Sequence, residues 1–427
     1  MTHKTFKQAL LNKRMLICIM TGFSSGLPLY LLIQFVPAWL RSADIDLSTI
    51  GLINLVLFPY TWKFLWSPVM DRFVLPFFGR RRGWMFVTQI MLIALMSALS
   101  LFDPASQMSQ IILIVAAIAF FSASQDIVID AYRREILPDD ELGAGNAFYA
   151  QAYRLSSFVP GSLAMILAGF FPWSVAHLSI AAFMLVGLVT TLLIKESSKP
   201  GDEPQTLRIA VIEPFKEFFR RDGWQQAVWI LLFLILYKLG DSMATALETP
   251  FFMDMGFSTV EIGSIAKVSK TIGATVGTIL GGLAMIKLGI NRSLWVFGIF
   301  QLISILGYVL LSVVGYNHFV LALASGFEYL GVGLGSVALI AYMAKSTNKN
   351  FTATQFALFS SIAAIPRTFV SAATGFIIES VGYTQFFIIC FVCALPGMLM
   401  LLKIAPWSGK QDQENNKQEG NNAAYPK

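Results

Sequence analysis

Along this chain apolar residues run for about twenty positions at a time, and charged residues gather in the gaps between the runs. A helix needs a run of that length to cross the hydrocarbon of a bilayer. By that measure the pattern predicts twelve spans, over 15–40, 48–66, 84–102, 110–131, 143–171, 173–194, 224–253, 261–287, 292–313, 317–344, 353–379 and 382–404. Each is expected to be helical, because the bilayer offers backbone groups no other partner. One long interruption, Lys195–Gly223, holds six basic and six acidic residues with Pro200, Pro204 and Pro214. It divides the spans six and six. The expected organisation is a six-helix bundle over 1–194, a linker over 195–223, a second six-helix bundle over 224–404 and a tail over 405–427. The end of the linker, PFKEFFRRDGW, is expected to form a short amphipathic helix on the membrane surface. The Asn/Gln/Lys-rich tail is expected to be disordered.

Composition agrees with a chain that lies almost wholly in lipid. It has 427 residues, 56% hydrophobic and 13% charged, against about 25% charged in soluble domains. The net charge of +6 therefore speaks of orientation rather than of nucleic acid. Twenty-four of the 31 basic residues fall in the segments on the N-terminal side of the membrane, one (Arg41) falls on the other side, and six lie within spans. That bias predicts both termini in the cytoplasm. The first apolar run is too long for a signal-peptide core and is expected to be a retained span. Cys18, Cys390 and Cys393 stand in apolar runs and read as small hydrophobes. His3, His177 and His318 are scattered, and neither a metal-ligand cluster nor a Ser/His/Asp set is present. No cofactor is expected.

The two halves repeat weakly. SPVMDRFVLPFFGRRRGW follows the second span, and GGLAMIKLGINRSLW follows the eighth. Both place small residues, a basic residue, a glycine and more basic residues in corresponding loops. Parallel halves of this kind imply a pseudo-twofold axis along the membrane normal, with a site between the halves.

Eleven ionisable residues inside the predicted spans are singled out: Lys63, Arg154, Lys238, Lys267, Lys270, Arg367, Asp126, Asp130, Asp241, Glu248 and Glu328. Such residues face a bundle interior and mark a pathway. Arg154, Lys238, Asp241, Lys270, Glu328 and Arg367 are expected near the midplane. Glu248 and Lys267 fall nearer the periplasm, and Lys63, Asp126 and Asp130 nearer the cytoplasm. Asp126 and Asp130 share a helix face, as do Lys238 and Asp241. The latter pair reads either as a structural ion pair or as a proton-coupling pair in which protonated Asp241 releases Lys238. Glu328, among the glycines of SGFEYLGVGLGS, is a further candidate proton carrier.

Several segments resemble one family. They are TGFSSGLPL (21–29), FLWSPVMDRF (64–73), FFGRRRGW (77–84), FSASQDIVIDAY (121–132), LYKLGDS (236–242) and TATQFALFS (352–360). The loop containing Asp71, Arg72 and Arg80–Arg82 is similar to the signature loop of the major facilitator superfamily. The whole set resembles the AmpG-type muropeptide permeases of Gram-negative inner membranes, and longer members of that family carry two further C-terminal spans. The resemblance implies the major facilitator fold, with twelve transmembrane helices in two pseudo-symmetric six-helix bundles. It implies a proton-coupled monomeric importer of GlcNAc-anhydroMurNAc-peptides that feeds peptidoglycan recycling, with a link to β-lactamase induction, and not an enzyme. Import of another anionic metabolite, as in the related acetyl-coenzyme A transporter branch, and efflux within the same superfamily remain the alternatives.

Given such a substrate, Arg154, Arg367 and Lys270 are expected to hold its carboxylates. Of the aromatic and amide residues suited to a sugar, Gln34, Gln125 and Tyr153 are selected from a set that also holds Tyr30, Trp39, Tyr60, Tyr149 and Tyr237. The candidate proton-coupling groups are Asp126, Glu328, Asp241 and Lys238. The superfamily's signature loop resembles a cytoplasmic latch, and here Asp71, Arg72, Arg80, Arg81, Arg82, Asp130 and Arg133 would form it. Asp126, one turn deeper than Asp130, belongs either to that latch or to a protonatable site that opens it.

Overall fold

A computed structural model describes residues 12–67, 70, 73–75, 78–138, 141–197, 216–221, 223–347 and 352–407. Most of the linker, the tail beyond Trp407, Asp71 and Arg72 lie outside the described residues. The described chain is helical, with one isolated bridge between Leu75 and Gly79. In order the helices are α1 (Lys13–Ser42), α2 (Leu47–Trp62), α3 (Arg80–Leu101), α4 (Met108–Ile136), α5 (Leu142–Ser156), α6 (Ala164–Phe170), α7 (Trp173–Leu193), α8 (Gly223–Asp254), α9 (Thr259–Val314), α10 (His318–Lys345) and α11 (Leu358–Ile404). Eight of these are long and apolar enough to cross a membrane: α1, α3, α4 and α7 to α11.

Two of them are too long for one crossing. The 56 residues of α9 would run about 84 Å as a straight helix, against about 30 Å of hydrocarbon. Gly289 breaks α9 at φ 72°, ψ 169°, and Gly382 breaks the 47-residue α11 at φ 78°, ψ 169°. Positive φ carries no Cβ penalty at glycine. Outward positions such as Leu101, Leu113, Phe170, Leu193, Ile286 and Phe319 are exposed apolar side chains, which suits lipid and not water. The chain is a multi-pass membrane protein.

Among the described residues four π turns interrupt the helices: Leu31–Phe35 in α1, Val159–Leu163 between α5 and α6, Ile262–Ala266 in α9 and Pro366–Val370 in α11. Two contain a proline, Pro160 and Pro366, and Pro28 stands one turn before a third. Proline lacks an N–H and crowds the carbonyl four residues back. An extra residue in the turn relieves that conflict, and such turns collect at functional sites.

The chain forms two compact units. The first is Met1–Ile209 with Ala246–Lys267 and Ser371–Glu379, and the second is Ala210–Thr245 with Val268–Val370 and Ser380–Lys427. Short pieces from the second half of the sequence therefore belong to the first unit. Within that unit Met70, Met85, Val128, Ile129 and Tyr132 form one buried cluster. The second unit centres on Phe233, Tyr237, Leu294, Phe297, Phe359 and Leu401.

Candidate functional site

In the first unit, α4 carries Asp126 on a buried face with Ser122, Gln125 and Ile129. A carboxylate placed there costs about 2.5–3.5 kcal/mol on insertion scales, so its surroundings decide whether it is tolerable. The Ser25 hydroxyl of α1 donates to Asp126 Oδ1, and the Tyr149 hydroxyl of α5 donates to Ser25 Oγ at 2.9 Å. Lys63 Nζ lies 3.8 Å from Asp126 Oδ2. Asp126 is thus held by one hydroxyl relay and one loosely placed ammonium. Neither amide atom of buried Gln125 has a hydrogen-bond partner among the described residues.

Towards the Arg41 end of the same unit a second polar centre forms around Lys267. Its ammonium donates to Ser157 Oγ at 2.7 Å and to Gln34 Oε1 at 3.2 Å. It also lies 5.7 Å from the centre of the Tyr30 ring and 5.4 Å from that of Phe158. Contacts of this kind attract a cation to an aromatic face. Three π turns supply the setting. Leu31–Phe35 carries Gln34, Val159–Leu163 packs on it, and Ile262–Ala266 packs on the latter and leads into Lys267. Gly161 leaves room for the amide, since a Cβ there would stand 2.1 Å from Gln34 Oε1.

Aromatic residues join the two centres. Tyr30 meets Tyr153 at 5.8 Å between ring centres, and Tyr153 meets Tyr149 at 6.2 Å. Tyr149 and Tyr153 are one turn apart on α5 and so share a face. The result is a track of hydroxyls and rings from Lys267 through Tyr30, Tyr153, Tyr149 and Ser25 to Asp126. Edge-on and tilted rings beside hydroxyls and an amide can flank a sugar, a cation at one end can hold an anion, and a carboxylate at the other can exchange a proton.

The second unit holds other residues singled out in the sequence. Lys238 Nζ pairs with Asp241 Oδ2 at 2.6 Å, and Asp241 Oδ1 has no hydrogen-bond partner among the described residues. Glu328 is fully buried and accepts a hydrogen bond from Ser304 at 2.8 Å. Buried Lys270 lies 5.5 Å from the centre of the Tyr329 ring. Arg367 is exposed on the Pro366–Val370 turn, and Arg154 of the first unit is exposed on α5.

At the end of the first unit opposite Arg41, Arg81 Nη2 pairs with Glu135 at 2.8 Å, with Arg80 at 3.8 Å from the same oxygen. Asp130 pairs with Arg133 one turn further along α4 at 3.0 Å, and the Arg133 guanidinium lies over the Tyr149 ring. Arg82 donates to the carbonyls of Thr191 and Leu192, where a cation suits a helix C-terminus. Glu196 accepts from the backbone N–H groups of Arg81 and Arg82.

Sequence reasoning selected Gln34, Tyr153 and Asp126 from this track but passed over Ser25, Tyr149, Ser157 and Lys267. A lysine inside an apolar span was itself a signal for Lys267, and the four-residue spacing of Tyr149 and Tyr153 was one for the aromatic face. Nothing in the spacing pointed to Ser25 or Ser157, whose partners lie about a hundred positions away.

Comparison with known proteins agrees with this architecture. Residues 16–371 match the Major Facilitator Superfamily. The chain is 44% identical over 415 residues to an uncharacterized protein of Haemophilus influenzae, covering 95% of this chain and 97% of that one. It is 40% identical over 391 residues to the anhydromuropeptide permease of Escherichia coli K12, covering 91% of this chain and 79% of the permease. Among solved structures, a D-xylose-proton symporter superposes with a TM-score of 0.72 at 12% identity, over 92% of this chain and 98% of the symporter. A peptide transporter of the POT family with bound 5-aminolevulinic acid gives 0.71 at 15% identity, over 92% of this chain and 96% of that one. These two likenesses carry the fold alone. The chain belongs to the major facilitator superfamily and, within it, to the AmpG-type muropeptide permeases.

Proposed function

We propose that this protein imports anhydro-muropeptides, GlcNAc-anhydroMurNAc-peptides, from periplasm to cytoplasm with the proton gradient as driving force. It does so as a twelve-span monomer in a Gram-negative inner membrane, with both termini and the 195–223 linker in the cytoplasm and six-helix bundles over 1–194 and 224–404. The observation that carries the reading is the 40% identity, over 91% of the chain, to the Escherichia coli anhydromuropeptide permease. The distribution of basic residues supports this orientation, in which the Arg41 end faces the periplasm. The chemistry of the first unit supports the substrate: a glycan can stack on Tyr30 and Tyr153, and a stem-peptide carboxylate suits Lys267; Arg154, and Lys270 and Arg367 of the second unit, are the further carboxylate partners of this reading. Asp126 is the favoured proton carrier. The Ser25–Tyr149 hydroxyl relay and the Lys63 ammonium at 3.8 Å give it partners between which a proton can move. Asp241 with Lys238, and Glu328, are the other carboxylates for that role. The imported product feeds peptidoglycan recycling and, through it, β-lactamase induction.

The test is uptake of labelled GlcNAc-anhydroMurNAc-peptide into vesicles with and without an imposed proton gradient. Wild-type uptake is expected to need the gradient and to stop with a protonophore. Asp126→Asn is expected to lose gradient-driven accumulation, and Asp126→Glu to keep part of it. Uptake indifferent to the protonophore would sink the coupling, and no uptake of any anhydro-muropeptide would sink the substrate.

A further inference from the structure

We infer that the groove between α1 and α7, at the end of the first unit opposite Arg41, binds one chain of an anionic phospholipid, with Lys13 and Lys195 at its headgroup. The two helices run antiparallel, with Phe35 against Trp173 at 5.2 Å between ring centres and Phe23 against Phe183 at 6.3 Å. They touch at Gly187, where a Cβ would stand 2.5 Å from Ser24 Cβ. Beside that contact they leave a groove of about 690 Å³. Its α1 wall holds Lys13, Ile17 and Met20, spaced to share one helix face, and its α7 wall holds Phe183, Val189 and Leu193. Val189 and Leu193 are 51% and 73% exposed, so the groove opens outward to lipid and not into the bundle. Thr190 also lines it, but its hydroxyl donates to the Val186 carbonyl at 2.6 Å. Apart from Lys13 the wall is therefore apolar.

The dimensions and the charge identify the occupant. From Ala182 to Ile194 the α7 wall runs about 18 Å, close to the depth of one leaflet, roughly 15 Å of hydrocarbon. Spread over that length, the volume gives a cross-section of about 38 Å², whereas a helix about 10 Å across needs about 80 Å². The groove admits an extended hydrocarbon chain and not a partner helix. Its mouth is basic. Lys13 is exposed in the groove itself. Exposed Lys195 follows Ile194, and its carbonyl accepts from the Tyr132 hydroxyl at 2.9 Å, which fixes the backbone there. Arg82 donates to the Thr191 and Leu192 carbonyls, so a cation covers the C-terminus of α7. The carboxylates nearby face other donors: Glu141 pairs with Arg14 at 3.1 Å, and Glu196 accepts from the Arg81 and Arg82 N–H groups. Ammonium groups beside a membrane surface favour an anionic headgroup over a zwitterionic one.

The experiment measures binding of dioleoyl phosphatidylglycerol and dioleoyl phosphatidylcholine to the full-length protein in detergent, by native mass spectrometry. The two lipids share their chains and differ in headgroup charge. Wild type is expected to bind phosphatidylglycerol about tenfold more tightly. Lys13→Gln combined with Lys195→Gln is expected to bring that ratio to about one, with the affinity for phosphatidylcholine unchanged. Val189→Trp fills the groove from a lipid-facing position and is expected to weaken both lipids by about tenfold. Leu113→Trp, at an exposed position on α4 outside the groove, is expected to weaken neither. Equal wild-type binding of the two lipids, or an unchanged ratio in the double lysine variant, would overturn the inference. So would a Leu113→Trp loss equal to that of Val189→Trp, which would make the bound lipid a general belt. A wild-type dimer that Val189→Trp dissociates would assign the groove to a second copy and overturn it as well.

Discussion

The two ends of the first unit are built differently. At the Arg41 end, pieces from opposite halves of the sequence meet. Arg41 Nε pairs with Asp254 at 2.6 Å, the Ser48 N–H donates to Glu379 at 2.8 Å, and Gly375 lies against the backbone of Leu47 and Ser48. At the other end, the ion pairs among the described residues join first-half residues to one another: Arg14 to Glu141, Arg80 and Arg81 to Glu135, and Arg133 to Asp130. At one end the named contacts cross the sequence, and at the other the named ion pairs stay within one half. In a transporter that alternates access by rocking one half against the other, cross-half contacts must break in every cycle and within-half contacts need not. The magnitudes identify which seal contact matters most. The Arg41–Asp254 pair is partly exposed, 26% and 19%, and such a pair contributes about 0–1 kcal/mol. Backbone packing with no room for a methyl is the stronger constraint.

The largest expected effect is therefore at Gly375. A Cβ there would stand 2.0 Å from the Leu47 carbonyl, so Gly375→Leu holds the seal apart. Uptake is expected to fall by about tenfold to hundredfold, with the purified protein eluting as wild type. Wild-type uptake in that variant would show that the cross-half packing is incidental and would erase the contrast between the ends. A smaller effect is expected from the ion pair. Arg41→Gln or Asp254→Asn should slow uptake by about twofold to fivefold, and the reversal Arg41→Asp with Asp254→Arg should recover most of it. A reversal no better than either single variant would mean that the pair is not the relevant contact.

The smallest effect concerns Asp46, beside Ser48 and outside the spans. Its side chain accepts from Ser48 Oγ at 2.5 Å and from the Thr49 N–H at 2.7 Å, capping α2. These side-chain hydrogen bonds, Ser48's first, hold its carboxyl at about 2, below the ordinary range. A depressed carboxyl contributes its stability above its unfolded value and loses it as pH falls through the folded one. Asp46→Ala is expected to lower Tm by about 1–2 °C near neutral pH. The difference should shrink as pH drops from about 4 to about 2. A Tm difference that stays constant over that range would exclude the cap as its source.

Much of the architecture was legible because a bilayer enforces a simple rule. Apolar runs at 15–40, 84–102, 110–131 and 317–344 are helices over nearly those bounds, since lipid leaves backbone groups no other partner. Gly289 stands in a gap that the pattern left between spans, and Gly382 at the first position of the last predicted span. The candidate site was legible only in part. Asp126 stood out because a carboxylate in an apolar run is costly wherever it lies. Asp130 and Arg133 pair within one turn of α4, a distance that sequence spacing conveys. The cradle of Lys267 did not stand out, since Gln34 and Ser157 are separated from it by 233 and 110 positions.

By itself the sequence determined a membrane-spanning chain, its helical runs and the polar residues that needed a reason to be in lipid. Those properties are local: each depends on the length and chemistry of a short stretch facing a uniform solvent. Only the tertiary structure decided which of those residues meet. It set Tyr149 and Ser25 on Asp126, brought Lys267 to α1 and α5, and placed Ala246–Lys267 and Ser371–Glu379 in the first unit. Such contacts depend on how three widened helical turns and a few glycines let distant segments approach, and no stretch of sequence carries that geometry alone.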